Sequence, residues 1–149
     1  MRILFWTLLL NLTAYSALSD PIIGTSVTYQ CKGAGFETTQ QKTITSIDQA
    51  SDTYKINIID KSNGILSSRV ITEYITTYNE MQDYVSNLSQ RCGDSSSTGA
   101  NIETLNTLVG VLTTCHAKDE TEELWAASIP FGVAQLKMSN GICKVIAYK

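Results

Sequence analysis

The sequence predicts an α+β domain that is mainly β, with an antiparallel sheet of about seven or eight strands and one main helix. Thr25–Lys32 and Tyr54–Lys61 alternate apolar and polar residues, which is typical of half-buried strands. Asn63-Gly64 has the sequence of a tight hairpin turn, because both residues tolerate a positive φ. Only Asn79–Cys92 clearly changes to a helical period.

The remaining elements follow the same two periods. One face of the predicted helix carries five apolar residues, Met81, Tyr84, Val85, Leu88 and Cys92. Further strands are predicted at Lys42–Ile47, Ile65–Ile75, Glu123–Ser128, Phe131–Lys137 and Ile142–Tyr148. Between the helix and the last strands, Asp94–Asn101 is a small-polar loop. Ile102–Ala117 fits either a helical stripe or a strand–turn–strand, and its periodicity does not decide between them.

The N-terminus has the pattern of an export signal. Arg2 precedes the apolar run Ile3–Leu12, and small residues follow it. The run is too short to span a bilayer, which needs about 20 apolar residues. We therefore expect a signal peptide at 1–19, cut before Asp20, although cuts two or three residues earlier also fit. Residues 20–149 then form a single exported domain in the periplasm or outside the cell, with no transmembrane segment.

Composition argues against charged polymers as partners. The full chain has 11 Lys and Arg residues against 14 Asp and Glu, and Arg2 belongs to the predicted leader. The basic residues form no cluster. Phosphate recognition depends on grouped Lys and Arg, so we do not expect nucleic acid or an anionic membrane surface as a partner.

The four cysteines indicate disulfides rather than a metal site. Cys31, Cys92, Cys115 and Cys143 are an even number in an exported chain. None of them forms a Cys-x-x-Cys pair, and the chain contains one histidine, so we expect no metal. Three pairings remain open at this point.

The last third resembles a group of uncharacterised exported bacterial β-proteins. Their pattern reads E-x-I-x-V-P-A-G-x-F-x-T-C, then x-W-x-A and P-x-G-x-V-K. Here Glu103–Cys115 reads ETLNTLVGVLTTC and Leu124–Lys137 reads LWAASIPFGVAQLK. Order agrees, and spacing agrees as far as Gly132, although Leu108-Val109 replaces the usual Pro-Ala.

The resemblance implies a fold and structural roles for the motif. It implies that the ambiguous segment is a hairpin turning near Gly110. It also implies a half-barrel curved around the helix, similar to the bacterial lipoprotein-localisation carriers, in which the concave face and the helix enclose an apolar cavity for lipid. Within the motif, Trp125 would pack one sheet face, Pro130 would interrupt strand pairing, and Gly132 would allow a bend.

With this hairpin in place, we favour the pairs Cys92–Cys115 and Cys31–Cys143. Cys92 ends the apolar face of the helix, and Cys115 lies on the strand that leaves the Gly110 turn. Alternation directs Cys31 to the same face as Tyr29 in the first strand, and Cys143 lies in the last strand. The alternative is Cys31–Cys92 with Cys115–Cys143.

The sequence offers no catalytic constellation. His116 follows Cys115, but neighbours on a strand point to opposite faces, so a thiol–imidazole pair is not expected and His116 is predicted to be solvated. Acidic residues at 119–123 lack the spacing of a calcium loop. We expect no catalytic residue, no cofactor and no enzymatic activity.

Two functions are therefore considered. In the first, this is a non-catalytic exported domain that binds a hydrophobic small molecule, such as a lipid, or a protein surface. In the second, it is a structural or interaction protein of the cell envelope, with a filled core and no ligand. A cavity of roughly 300 Å³ or more between helix and sheet favours the first function.

We predict cleavage between Ser19 and Asp20. Signal peptidase reads small residues just before the cut, and Ala17 and Ser19 are both small. The intact mass of the exported protein should correspond to a chain beginning at Asp20. A mature protein that still begins at Met1 would contradict the predicted export.

Overall fold

The computed structural model describes residues 20–94 and 99–149. The predicted signal peptide, and half of the predicted Asp94–Asn101 loop (residues 95–98), lie outside these ranges. The described residues form one open antiparallel sheet of nine strands and two α-helices. The fold is therefore mainly β, as the sequence predicts.

Nine strands build the sheet: β1 Ser26–Gly33, β2 Phe36–Asp48, β3 Thr53–Ser62, β4 Ile65–Tyr74, β5 Asn101–Thr107, β6 Gly110–Lys118, β7 Glu122–Ala127, β8 Val133–Met138 and β9 Gly141–Tyr148. Their order across the sheet is β4-β3-β2-β1-β9-β8-β7-β6-β5. The sheet thus consists of two runs of consecutive hairpins, β1–β4 and β5–β9. They join along the β1–β9 pair, where the first strand meets the last.

The expected count of seven or eight strands is too low. The undecided segment Ile102–Ala117 forms two strands, β5 and β6, with a turn at Leu108-Val109. Strand β2 also begins at Phe36, whereas its apolar pattern indicates a strand only from Lys42. These residues lack the alternation of apolar and polar side chains that indicates a strand, but residues 38–41 pair with both β1 and β3.

The predicted helix is divided in two and begins earlier. Helix α1 is Ile75–Ser86 and helix α2 is Leu88–Asp94. The run of β-branched residues predicts that Ile75 belongs to a strand. Instead, Ile75 begins α1, and the backbone N–H of Ile75 donates to the Asp52 carbonyl at 3.0 Å. The Thr76 hydroxyl also donates to the Asp52 carboxylate, at 2.6 Å. The β2–β3 turn therefore satisfies one of the backbone N–H groups that a helix N-terminus leaves unpaired, and the Thr76 hydroxyl adds a second bond to the same residue.

The break between the helices falls at Asn87. Its side-chain amide donates to the backbone carbonyl of Asp83 at 3.2 Å, and its backbone has φ −109° and ψ 34°. Short polar side chains compete with the helix for backbone partners in this way. The expected apolar face nevertheless persists across the break, since Val85, Leu88 and Cys92 are all buried.

The topology forces the helices to cross one face of the sheet. Strands β4 and β5 are its two edges, so the segment that connects them must span the full width. Helix α1 covers one core cluster: Ile44, Tyr54, Ile56, Ile58, Ile75 and Tyr78. Helix α2 closes a second: Leu88, Cys92, Ala100, Cys115 and Ala126. A third lies nearer the middle of the sheet: Val27, Tyr29, Ala127, Ile129, Ala134 and Val145.

Two disulfides reinforce this arrangement. Cys31 is bonded to Cys143 across the β1–β9 pair, where the two residues are direct register partners. Cys92 is bonded to Cys115, which ties α2 to β6. The first bridge therefore joins the two hairpin runs, and the second fixes the end of the helical crossing to the sheet.

Leu88→Ala should lower the free energy of unfolding by about 2–5 kcal/mol, because it leaves a cavity beneath α2. Leu88 is 8% exposed. The matched control is Leu108→Ala at the β5–β6 turn, where the side chain is 79% exposed, and its effect should stay within about 0.5 kcal/mol. Urea unfolding measures both, and equal effects would show that the α2 face is not core.

Candidate apolar ligand-binding groove

Two adjoining cavities lie on the face of the sheet that the helices cross. The first, of about 200 Å³, is lined by three residues of α1, Met81, Tyr84 and Val85, and by sheet residues that include Ala117, Leu124 and Ala126. The second, of about 150 Å³, is lined by Tyr29, Cys31, Gln40, Lys42, Leu136 and Cys143. Phe131 and Val133 line both cavities. We call the two cavities together the groove.

Strand register explains why the floor of the groove is apolar. Ala117, Leu124, Leu136, Cys143 and Cys31 are successive register partners from β6 to β1. Side chains of register partners lie on the same face of a sheet. The Cys31–Cys143 disulfide is therefore part of the floor, at the join of the two hairpin runs.

The β7–β8 loop forms the partition between the cavities. Phe131 has a φ of 61° and Gly132 a φ of 69°. A positive φ is a rare and strained conformation for an aromatic residue. The Phe131 ring lies edge-on to Tyr78 of α1, with centroids 6.5 Å apart. The strained backbone thus places an aromatic ring between the two cavities.

Gly132 allows the loop to approach α1 closely. A Cβ atom at this position would lie 2.9 Å from both Cγ and Sδ of Met81 and 3.3 Å from Cγ1 of Val85. Hence Gly132 has two constraints, a positive φ and a close contact, and glycine meets both. It is the motif glycine that lies in the groove.

The second cavity has a polar rim. The Lys42 ammonium lies 5.7 Å from the centroid of the Tyr29 ring. Burial lowers the pKa of Lys42 below its ordinary value, and Arg69 lowers it further. Burial also raises the pKa of the Tyr29 hydroxyl. The rim therefore combines a partly desolvated cation with an aromatic face.

The other motif residues lie elsewhere. Gly110 begins β6 with a φ of 116° and is exposed at the hairpin turn. Pro130 lies in the β7–β8 loop outside both neighbouring strands. Trp125 is buried and follows Leu124 in β7, so it lies on the opposite face of the sheet. On that face it is the register partner of His116. Of these four motif residues, Gly132 is thus the one that lines the groove. Three of the four cysteines also line it: Cys31, Cys115 and Cys143.

His116 belongs to a packed cluster on that opposite face. Its ring stacks on Trp125 with centroids 4.1 Å apart and an angle of 5° between the planes. Nδ1 lies 3.2 Å from Glu103, which also accepts a hydrogen bond from the Trp125 indole. Nε2 lies 3.3 Å from Glu123, but the contact is not aligned as a hydrogen bond. His116 therefore lies in a strand, but it is less solvated than expected, since only 20% of its side chain is exposed.

The cluster holds β5, β6 and β7 together. Glu123 accepts a hydrogen bond from Lys137 at 2.7 Å, and this bond is the main reason that its pKa is lowered. Cys115 is in a disulfide and lies on the other face from His116. Within the two described ranges, no group of three His, Cys, Asp or Glu residues could hold a metal ion.

No family model matches the sequence, and no curated protein is significantly similar to it. Neither α1 nor α2, the helices of residues 20–94 and 99–149, is long and apolar enough to cross a membrane. A functional proposal therefore depends on the geometry of the groove.

Gly132→Ala should be more destabilising than Gly64→Ala. Both glycines have positive φ values, 69° and 79°, so alanine costs roughly 1–2 kcal/mol at either position. A Cβ at Gly64 would meet no atom within 4 Å, whereas one at Gly132 would overlap Met81. We expect a further loss of about 1 kcal/mol at Gly132. Equal losses in urea unfolding would contradict close packing of the loop against α1.

Proposed function

We propose that this protein is a non-catalytic exported domain that holds an apolar, lipid-like molecule in the groove between α1 and the sheet. One observation carries the proposal: the contact between helix and sheet is left incompletely filled at its centre. Met81 and Tyr84 are only partly buried, and both line the 200 Å³ cavity. A solid core at this position would leave no such space.

The size of the groove depends on Phe131. Each cavity is smaller than the roughly 300 Å³ typical of small-molecule sites. However, Phe131 and Val133 line both, so a rotation of the Phe131 side chain would connect them. The strained φ of Phe131 supports this role, because such strain is concentrated at ligand clamps and switches.

Two features support a location outside the cytosol. The chain has two disulfides, which persist in oxidising compartments such as the periplasm and the extracellular space. The N-terminal sequence is typical of an export signal. The resemblance of the last third to exported bacterial proteins is part of this proposal. So is the similarity of fold to lipoprotein-localisation carriers that this resemblance implies.

A second candidate function is a structural or interaction protein of the envelope. The observation that favours it is the edge strand β4, which has one free side. Leu66, Val70 and Tyr74 lie on one face of β4 and are 66%, 61% and 64% exposed. An exposed apolar edge strand is suited to pairing with another chain.

Binding of N-phenyl-1-naphthylamine, a neutral apolar dye, tests the proposed function. The folded domain should bind it saturably with enhanced fluorescence. Ala117→Trp places a large side chain in the 200 Å³ cavity and should weaken binding about tenfold or more, roughly 1.4 kcal/mol.

Val111→Trp is the matched control. Val111 is 69% exposed on the neighbouring part of β6 and lines neither cavity. This variant should bind the dye as the wild type does. Circular dichroism and urea unfolding verify that both variants are folded. If the dye does not bind, or binds both variants equally, the domain does not use this groove, and the second candidate function is favoured.

A further inference from the structure

We infer that the ligand is an anionic amphiphile, whose negatively charged head lies at Lys42 and whose apolar chain extends through the groove towards Met81. This inference rests on the proposed function and adds the chemical class of the ligand. It depends on the asymmetry of the groove, which has a cation at one end and apolar side chains at the other.

Lys42 lacks an anionic partner. Its ammonium makes no ion pair or hydrogen bond with residues 20–94 or 99–149, and its contact there is the face of the Tyr29 ring. The carboxylate of Asp60 is already occupied, because Gln40 donates to it at 2.8 Å and Arg69 forms an ion pair with it. Charged side chains are seldom buried without a partner.

The electrostatics of the rim agree with a missing anion. Burial is the main cause of the lowered pKa of Lys42, and Arg69 adds to it, whereas Glu73 and Asp60 act in the opposite direction. The two acidic residues therefore do not offset the cost of desolvation. A carboxylate or phosphate beside the ammonium would stabilise its charged form.

The path from Lys42 suits a chain rather than a compact ligand. Lys42 is in β2, and Leu124 at the far end of the groove is in β7. Four strand spacings separate β2 from β7, which is up to roughly 19 Å at about 4.8 Å per strand. The floor between them contains Cys143 and Leu136 and no charged residue. An alkyl chain can follow this floor with its head at Lys42.

The test compares an anionic and a neutral alkyl compound on the same variants. Dodecanoate, dodecyl phosphate and 1-dodecanol are each titrated against bound N-phenyl-1-naphthylamine, below the concentrations at which they form micelles. Lys42→Met should weaken displacement by the two anions about tenfold and change displacement by the alcohol less than twofold. Lys42→Arg should restore binding of the anions, because it retains the positive charge.

Lys55→Met is the charge-matched control. Lys55 is exposed on β3 and lines neither cavity, so its loss should leave all three titrations unchanged. Whichever anion binds more tightly in the wild type indicates whether the head is a carboxylate or a phosphate.

The titrations distinguish failure of the proposed function from failure of the inference about Lys42 alone. If none of the three compounds displaces the dye, the groove holds no alkyl chain, and the proposed function falls together with the inference. If all three displace it and Lys42→Met weakens all of them equally or none of them, the groove holds a chain, but its head does not lie at Lys42.

Discussion

The pairing of β1 with β9 holds the two halves of the sheet together. Each half of the sheet forms from local hairpins, but only this pair of strands joins the halves, and it connects the two ends of the domain. The Cys31–Cys143 bond closes a loop of 112 residues across it. A crosslink of that length stabilises mainly by restricting the unfolded chain, by about 4–5 kcal/mol. This stabilisation suits a junction whose contacts are so distant in sequence.

The same pairing determines where a groove can form. Joining β1 to β9 leaves β4 and β5 at opposite edges, so the chain between them must cross one face as α1 and α2. Helix α1 packs on the first half and the Cys92–Cys115 bond holds α2 to the second. The space between these two anchor points lies over the junction. The two cavities meet there, at Phe131 and Val133.

Much of the fold could be predicted from local patterns, but the groove could not. Period-two alternation indicates β1 and β3, and it directs Cys31 to the face that meets Cys143. The start of α1 could not be predicted, because the Ile75 N–H and the Thr76 hydroxyl both donate to Asp52, which is distant in sequence. Nor could the position of Lys42 over Tyr29, since only the β1–β2 register brings the two together. The resemblance of the last third to exported bacterial proteins stays a prediction.

If the domain works as proposed, a ligand occupies the groove. Native mass spectrometry of the protein purified from its own host would detect such a ligand. We expect a complex of the disulfide-bonded chain with one lipid-like molecule, which is released by organic solvent and is depleted in the Ala117→Trp variant. A bare chain in both proteins, from a preparation in which both disulfides are intact, would contradict it.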